Sequence, residues 1–215
     1  MHIRELHFHE NASETPLHRA LKRLVEQGYL RRVERRMVGG NGAGSGQYVY
    51  SLGPVGWRLM QREGRYSPAR SINYHTLGIA DAFTELKRLE NAGRIQIETY
   101  ETEPDSWRMI QGADLRPDLY VKVSDPFKGR SMSLWLEIDL GTERSRQIRE
   151  KLAAYWHAYR HATDADLSVF PLVVFLAPDD ERERELRDIV ATGKEEAQAL
   201  FLTSTIYNFT GLIFS

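Results

Sequence analysis

Apolar residues recur at helical spacing near the start of the chain. In the stretch "TPLHRALKRLVEQG" one face carries four of them: Leu17, Leu21, Leu24 and Val25. This spacing predicts an amphipathic helix. Thr15 is a suitable N-cap, Pro16 fits the first turn, and Gly28 suits the position just after the end.

Two stretches that follow this helix predict strands. "YLRRVERRMV" is the first and "QYVYSL" its return, and "GGNGAGSG" lies between them as a predicted loop. "GPVGWRLMQREG" then predicts a short helix. Helix, strand, glycine-rich loop, strand and helix is the order of a winged helix-turn-helix, in which the strand pair forms the wing.

The remaining chain predicts a helix, three successive strands, a second helix, a fourth strand and a third helix. Strands are predicted in four stretches: "RIQIETYE", "RPDLYVKV", "SLWLEIDL" and "LSVFPLVVFLA". Helices are predicted from "SINYHTLGIADAFTELKRLENAG", "TERSRQIREKLAAYWHAYRHA" and "DDERERELRDIVATG". The second of these has its apolar stripe on Ile148, Leu152, Tyr155 and Tyr159. We expect "DSWRMIQ" to be an irregular or helical link and the C-terminal tail to add edge strands.

These elements predict an α/β (α+β) protein of two domains. Residues 1–70 would form the winged helix-turn-helix, and residues 71–215 a mixed sheet with helices on its faces. Charge divides in the same way. Residues 1–72 carry twelve Lys and Arg against six Asp and Glu, whereas the rest of the chain carries seventeen against twenty-four. A basic N-terminal part and an acidic C-terminal part indicate two modules with different functions.

The basic N-terminal part is a candidate for binding double-stranded DNA. Four of its candidate DNA-binding residues lie on the first amphipathic helix, whose polar face would enter a major groove: His18, Arg19, Lys22 and Arg23. Four more flank the wing, where phosphates would pass: Arg31, Arg32, Arg35 and Arg36. The alternatives are a solvated helix face and a module that pairs with protein.

Composition excludes several other classes. The chain has no cysteine, which excludes disulfides and thiolate metal sites. No apolar run spans a bilayer and the N-terminus lacks a signal-peptide core, so we expect a cytoplasmic protein that does not enter membranes. The glycine-rich loop lacks the Lys-Ser/Thr ending of a phosphate-binding loop, and nothing predicts a small-molecule cofactor.

Acidic residues interrupt two of the predicted strands. The two-residue pleat places Glu137 and Asp139 on one face of their strand, and Asp118 on the polar face of the preceding strand. Three carboxylates on adjacent strands would suit Mg²⁺ or Mn²⁺. Lys151, on the following helix, borders the apolar stripe and would lean toward these acids. We therefore take Asp118, Glu137, Asp139 and Lys151 as candidate catalytic residues for phosphodiester hydrolysis.

Simpler interpretations of these residues stay open. Asp118 would then only end a loop after Pro117. Glu137 and Asp139 would be solvent-facing strand residues, or would pair with Arg144, Arg146 or Arg149.

The acidic motifs resemble those of the PD-(D/E)XK nuclease superfamily. Pro117 and Asp118 stand at the place of PD, and Glu137-Ile138-Asp139 at that of (D/E)-X-K. More specifically, the chain resembles the plasmid replication-relaxation family, through "RALKRLVEQGYL", "RPD", "LEIDLGTE" and "KLAAYWHAY". That resemblance implies a winged helix joined to a nuclease-like domain, and a role in the replication, transfer or control of a plasmid, phage or conjugative element.

One signature position departs from the superfamily, because Asp139 stands where lysine is expected. Either Lys151 replaces that lysine from the helix, or Lys122 does so from the neighbouring strand, or the site has lost catalysis.

Three functions remain as hypotheses. The first is a DNA-binding replication-relaxation or regulatory factor, whose nuclease-like domain serves as an inactive scaffold, for instance for a homodimer. The second is a metal-dependent endonuclease or nickase. The third is a transcription regulator whose C-terminal domain binds a protein partner.

Overall fold

The computed structural model describes residues 2–36 and 47–214, and for Arg35 and Arg36 it describes the backbone alone. The predicted glycine-rich loop lies outside the described residues. The chain divides into two compact units, residues 1–74 and 75–215. We call these the first unit and the second unit. No helix among the described residues is long and apolar enough to cross a membrane.

The first unit is built from three helices and a strand pair within its described residues. They are, in chain order, α1 (His2–His7), α2 (Thr15–Glu26), β1 (Leu30–Arg36), β2 (Gln47–Leu52) and α3 (Pro54–Leu59). Strands β1 and β2 are antiparallel, with Leu30 opposite Leu52 and Arg36 opposite Gln47. The predicted helices and strands of this part of the chain therefore form.

Helix α2 is the predicted amphipathic helix, with Leu21 buried at the centre of its apolar stripe. Its C-terminal end is as expected. Gly28 has a φ of +74°, its N–H donates to the carbonyl of Val25, and the N–H of Tyr29 donates to that of Leu24. The predicted cap at Thr15 is wrong. The helix begins at Thr15 itself, so Glu14 occupies the N-cap position, and its side chain makes no capping hydrogen bond to the helix.

The second unit contains a mixed sheet, as predicted, and this sheet has five strands. Its elements are α4 (Tyr74–Asn91), β3 (Gln96–Thr102), β4 (Arg108–Ile110), β5 (Ala113–Leu115), β6 (Leu119–Ser124), β7 (Ser131–Ile138), α5 (Ser145–His161), β8 (Leu172–Ala177), α6 (Asp180–Ala191), α7 (Glu195–Gln198), β9 (Phe201–Thr205) and a 3₁₀ helix (Phe209–Leu212). The strand order is β3-β6-β7-β8-β9. Pairs β3–β6 and β6–β7 are antiparallel, whereas β7–β8 and β8–β9 are parallel.

Alternate residues of the central strands face two separate cores. Leu136 and Ile138 pack with Ile79 and Leu86 of α4 on one face of the sheet. Trp135 packs with Tyr155 of α5 on the other. Glu137 lies two residues after Trp135 on β7, so the pleat places both side chains on the face of the sheet that α5 covers. An acidic residue at that position lies between a sheet and a helix instead of in water.

Three predictions about this unit need correction. The link "DSWRMIQ" is neither irregular nor helical throughout, because it runs into β4, which pairs with β5 as a small hairpin. Tyr159 does not belong to the buried stripe of α5. It is 48% exposed, and Ala158, one position earlier, is buried instead. The tail adds one edge strand, β9, and then a 3₁₀ helix.

Candidate functional site

Asp118 and Glu137 meet where β6 begins and β7 ends. Leu119 pairs with Leu136, and the N–H of Asp118 donates to the carbonyl of Leu136 at 3.1 Å, so that the antiparallel register continues to Asp118 and Glu137. Both acids are buried, at 7% and 2% exposure. The structure therefore places the two sequence-predicted carboxylates on neighbouring strands at one end of the sheet.

Glu137 is held between two side chains of α5. Lys151 donates from Nζ to Oε2 at 2.8 Å, and the Tyr155 hydroxyl donates to Oε1 at 2.5 Å. Burial raises the pKa of Glu137 to about 7, helped by the nearby Asp118 carboxylate and opposed by Lys151 and Tyr155. Burial likewise raises the pKa of Tyr155 well above its ordinary value. Burial between the sheet and α5 thus shifts the pKa of Glu137 toward neutral pH.

Lys151 bridges two carboxylates. Besides Glu137 it donates to Oε1 of Glu143 at 2.7 Å. Burial alone would lower the pKa of Lys151, but the carboxylates of Glu137 and Glu143 raise it above its ordinary value. The amine is therefore the fixed positive charge of the pair. The other candidate lysine, Lys122, forms an ion pair with Glu98 of β3 at 2.7 Å.

Asp139 has a partner that the sequence did not predict. Arg182 of α6 donates to its Oδ2 at 2.9 Å, and the N–H of Gly141 donates to its Oδ1 at 2.6 Å. Arg182 also donates to the backbone carbonyl of Glu143 at 2.7 Å. No spacing rule joins residues 43 positions apart, so only the tertiary packing of α6 against the end of β7 brings Arg182 here.

Asp118 also has unpredicted neighbours. Its Oδ1 lies 2.9 Å from Nε2 of His75 in the first turn of α4. Its Oδ2 accepts a hydrogen bond from the N–H of Ile138 at 2.6 Å. Glu103, just after β3, completes a group in which one ligand atom from each of three residues lies within 4.8 Å of the others: His75, Glu103 and Asp118.

The nuclease resemblance implies a divalent metal. Asp118 is better placed to bind such an ion than Glu137 or Asp139. Glu137 offers both oxygens to Lys151 and Tyr155, and Asp139 offers both to Arg182 and Gly141. A metal shared by the predicted trio would have to displace these donors, including two cations. As arranged, Glu137 and Asp139 do not form an open metal pocket, whereas Asp118 faces two further ligand-type side chains.

The first unit presents a basic surface on α2 and β1. Its helical part is exposed at His18, Arg19, Lys22 and Arg23. Within the described ranges, Arg19 and Arg23 make no side-chain ion pair or hydrogen bond. Arg31 and Arg32 of β1 are exposed as well, and the guanidinium of Arg32 lies 4.7 Å from the ring centre of Tyr48. The side chains of Arg35 and Arg36 lie outside the description.

Comparison with known protein families agrees with the resemblance seen in the sequence. The family model described as replication-relaxation matches residues 1–173 of the 215. The chain belongs to the replication-relaxation family. Searches of curated proteins and of solved structures gave no significant match.

The replication-relaxation match covers both the basic surface and most of the acidic site. It includes Asp118, Glu137 and Lys151, but it ends at the start of β8, before Arg182. Membership associates the protein with plasmid and mobile-element replication. The chemistry within that role rests on the side chains described above.

Proposed function

We propose that this replication-relaxation protein binds double-stranded DNA through its first unit while its mobile element is replicated. The observation that carries the proposal is the exposed basic face of α2, which lies beside a strand pair that also carries exposed arginines. Such a helix fits the major groove, and the neighbouring strands would lie along the phosphates, as in a winged helix.

The charges of this surface support DNA as the partner. Lys22 has only an exposed pairing with Glu26 at 3.8 Å, which contributes little in water. Arg19 and Arg23 have no acidic partner among the described residues. When these cations contact DNA phosphates, counterions condensed on the DNA are released. This release is the main favourable contribution to non-specific DNA binding.

The test is the affinity for a duplex as a function of salt. We expect the Arg19→Ala/Arg23→Ala variant to bind a fluorescent duplex more weakly at every sequence tried. The slope of log affinity against log salt should fall by about 2, one for each lost phosphate contact. Fluorescence anisotropy between about 50 and 200 mM salt measures both quantities.

The matched control is Lys194→Ala, which removes an exposed cation from the second unit. It should leave the slope as in the parent protein. An unchanged slope in the arginine variant would contradict the assignment of α2 to DNA.

A second function, metal-dependent cleavage of a phosphodiester, is favoured by one observation. Asp118 and Glu137 lie side by side on neighbouring strands, with Lys151 at 2.8 Å from Glu137. A divalent metal at Asp118 would polarise a phosphate and activate water, and a lysine amine nearby would stabilise the charge that develops. The alternative within the same fold is a scaffold in which Lys151 and Arg182 neutralise buried acids.

A further inference from the structure

Asp118 is the one acid of the predicted trio whose side-chain neighbours are themselves metal-ligand types. Glu137 and Asp139 each face a cation, Lys151 or Arg182, at 2.8–2.9 Å. By contrast, Oδ1 of Asp118 faces the imidazole of His75. The two kinds of surroundings have opposite consequences, because a cation competes with a metal ion whereas an imidazole can bind one.

The residues His75, Glu103 and Asp118 are held together by three separate elements. His75 lies in the first turn of α4, which packs on the sheet through Ile79. Glu103 follows β3, and its N–H donates to the carbonyl of Asp118 at 3.2 Å, so that the β3–β6 pairing extends to these two residues. The group is therefore set by the sheet and by α4, and not by one flexible loop.

The distances within the group suit a single ion. One ligand atom of each residue lies within 4.8 Å of the other two. Ligands about 2.1–2.5 Å from one ion are separated by about 3–5 Å, depending on the angle between them. The 2.9 Å between Nε2 of His75 and Oδ1 of Asp118 matches two adjacent coordination positions.

The third side chain is open to the ion and to water. Glu103 is exposed, and its carboxylate makes no hydrogen bond or ion pair with the residues that the structure describes. Asp118, in contrast, is buried and oriented, because the N–H of Ile138 holds its other oxygen. The group thus joins one fixed carboxylate, one half-buried imidazole and one solvent-exposed carboxylate.

We propose that His75, Glu103 and Asp118 form a divalent metal site that prefers Mn²⁺ to Mg²⁺. One nitrogen and two carboxylate ligands favour a first-row transition ion, since Mg²⁺ strongly prefers oxygen and holds its water. The role of this site rests on the second proposed function, cleavage of a phosphodiester, for which it supplies the metal. In this site His75 and Glu103, in place of Glu137 and Asp139, bind the metal together with Asp118.

The test is Mn²⁺ binding to the full chain after removal of metals with a chelator. Electron paramagnetic resonance follows free Mn²⁺ as protein is added, and competition with Mg²⁺ gives the preference. We expect His75→Gln, Glu103→Gln and Asp118→Asn to weaken Mn²⁺ binding at least about tenfold, as loss of a ligand does. Glu137→Gln and Asp139→Asn should bind Mn²⁺ much as the parent does, as should the surface controls His161→Ala and Glu195→Gln, because none of these residues belongs to the group.

Each outcome bears on a different proposal. If Glu137→Gln and Asp139→Asn abolish Mn²⁺ binding while Glu103→Gln and His75→Gln keep it, the inferred site is wrong and metal-dependent cleavage survives at the predicted trio. If the parent binds no Mn²⁺ at millimolar concentration, both the site and cleavage fail. DNA binding by the first unit is measured without metal and is unaffected by either result. Glu103 is exposed, so its variant stays informative even if His75→Gln unfolds, which thermal denaturation would reveal.

Discussion

Glu137 shows how strongly a single position depends on its surroundings. In the sequence it is one polar residue in an alternating strand. In the structure it is 2% exposed and lies between an amine and a phenol hydroxyl. A buried carboxyl is costly to ionise, and one partner cation offsets that cost only in part. The site therefore contains an acid whose pKa is raised from its ordinary value toward neutral pH.

This predicts how Glu137 changes stability with pH. Its pKa is about 7 in the folded chain against an ordinary value of 4.5, so between these pH values the folded state keeps a proton that the unfolded state loses. The contribution is complete below pH 4.5 and is lost as pH rises through 7. We expect the parent to lose, relative to Glu137→Gln, on the order of 3 kcal/mol of unfolding free energy between pH 4.5 and 8.

Urea denaturation in the presence of EDTA, at half-unit steps of pH, measures this difference. The exposed Glu195→Gln variant is the control and should follow the parent within about 0.5 kcal/mol. A constant offset between the parent and Glu137→Gln across the whole range would show that Glu137 ionises in the folded chain as it does in the unfolded one.

Helix α4 approaches the end of β7 very closely, and a glycine permits it. A Cβ built on Gly78 would lie 2.7 Å from Cγ2 of Ile138, the residue whose N–H orients Asp118. Ile138 is β-branched and buried, so it cannot move aside easily. The absence of a side chain at Gly78 thus lets α4 hold His75 near the carboxylate of Asp118.

We therefore expect Gly78→Ala to destabilise the protein by about 1–3 kcal/mol, although alanine favours helices over glycine by about 1 kcal/mol. Chemical denaturation, monitored by far-UV circular dichroism, measures this change in the free energy of unfolding. Gly211→Ala is the matched control, since nothing lies within 4 Å of a Cβ placed there, and it should change stability by no more than about 0.5 kcal/mol. Equal or greater stability of Gly78→Ala would mean that α4 has room to shift.

The elements were predicted with uneven success, for identifiable reasons. Helices α2 and α5 and strands β6 and β7 have strong periodicity, whereas β8 is a continuous apolar run, and all five lie where the sequence indicated. The β4–β5 hairpin was not predicted because each strand has only three residues, too few to show a period. Tyr159 follows the stripe of α5 in spacing, but it lies near the end of the helix, where it packs against Trp156 and Phe170 and stays half exposed.

The two units divide charge and chemistry between them. The basic surplus lies in the first and the acidic surplus in the second, and the replication-relaxation match extends over both. If both proposed functions hold, affinity for DNA depends on the first unit and hydrolysis on the second. DNA binding and DNA cleavage would then respond to different substitutions.

Incubation of supercoiled plasmid with the protein and Mn²⁺ or Mg²⁺ tests this division. If the second unit cleaves, the parent converts supercoiled DNA to the nicked form, and Asp118→Asn lowers the rate by about two orders of magnitude or more without weakening binding. Arg19→Ala/Arg23→Ala should weaken binding and lower cleavage only as far as binding falls. Binding without nicking by the parent would leave a DNA-binding factor with a scaffold domain.

The spacing of apolar residues, together with the distribution of charge along the chain, was enough to indicate a basic helical module followed by a mixed sheet. It also placed Asp118 and Glu137 on adjacent strands, because strand alternation and hairpin order are local properties. The sequence also predicted Lys151 beside these acids, from its place at the border of the apolar stripe. Two other partners came only from the packing of the helices: Arg182 lies at Asp139 and His75 at Asp118 because α6 and α4 dock on the sheet. Each of these contacts joins residues 43 positions apart, and no local pattern encodes the distance between them.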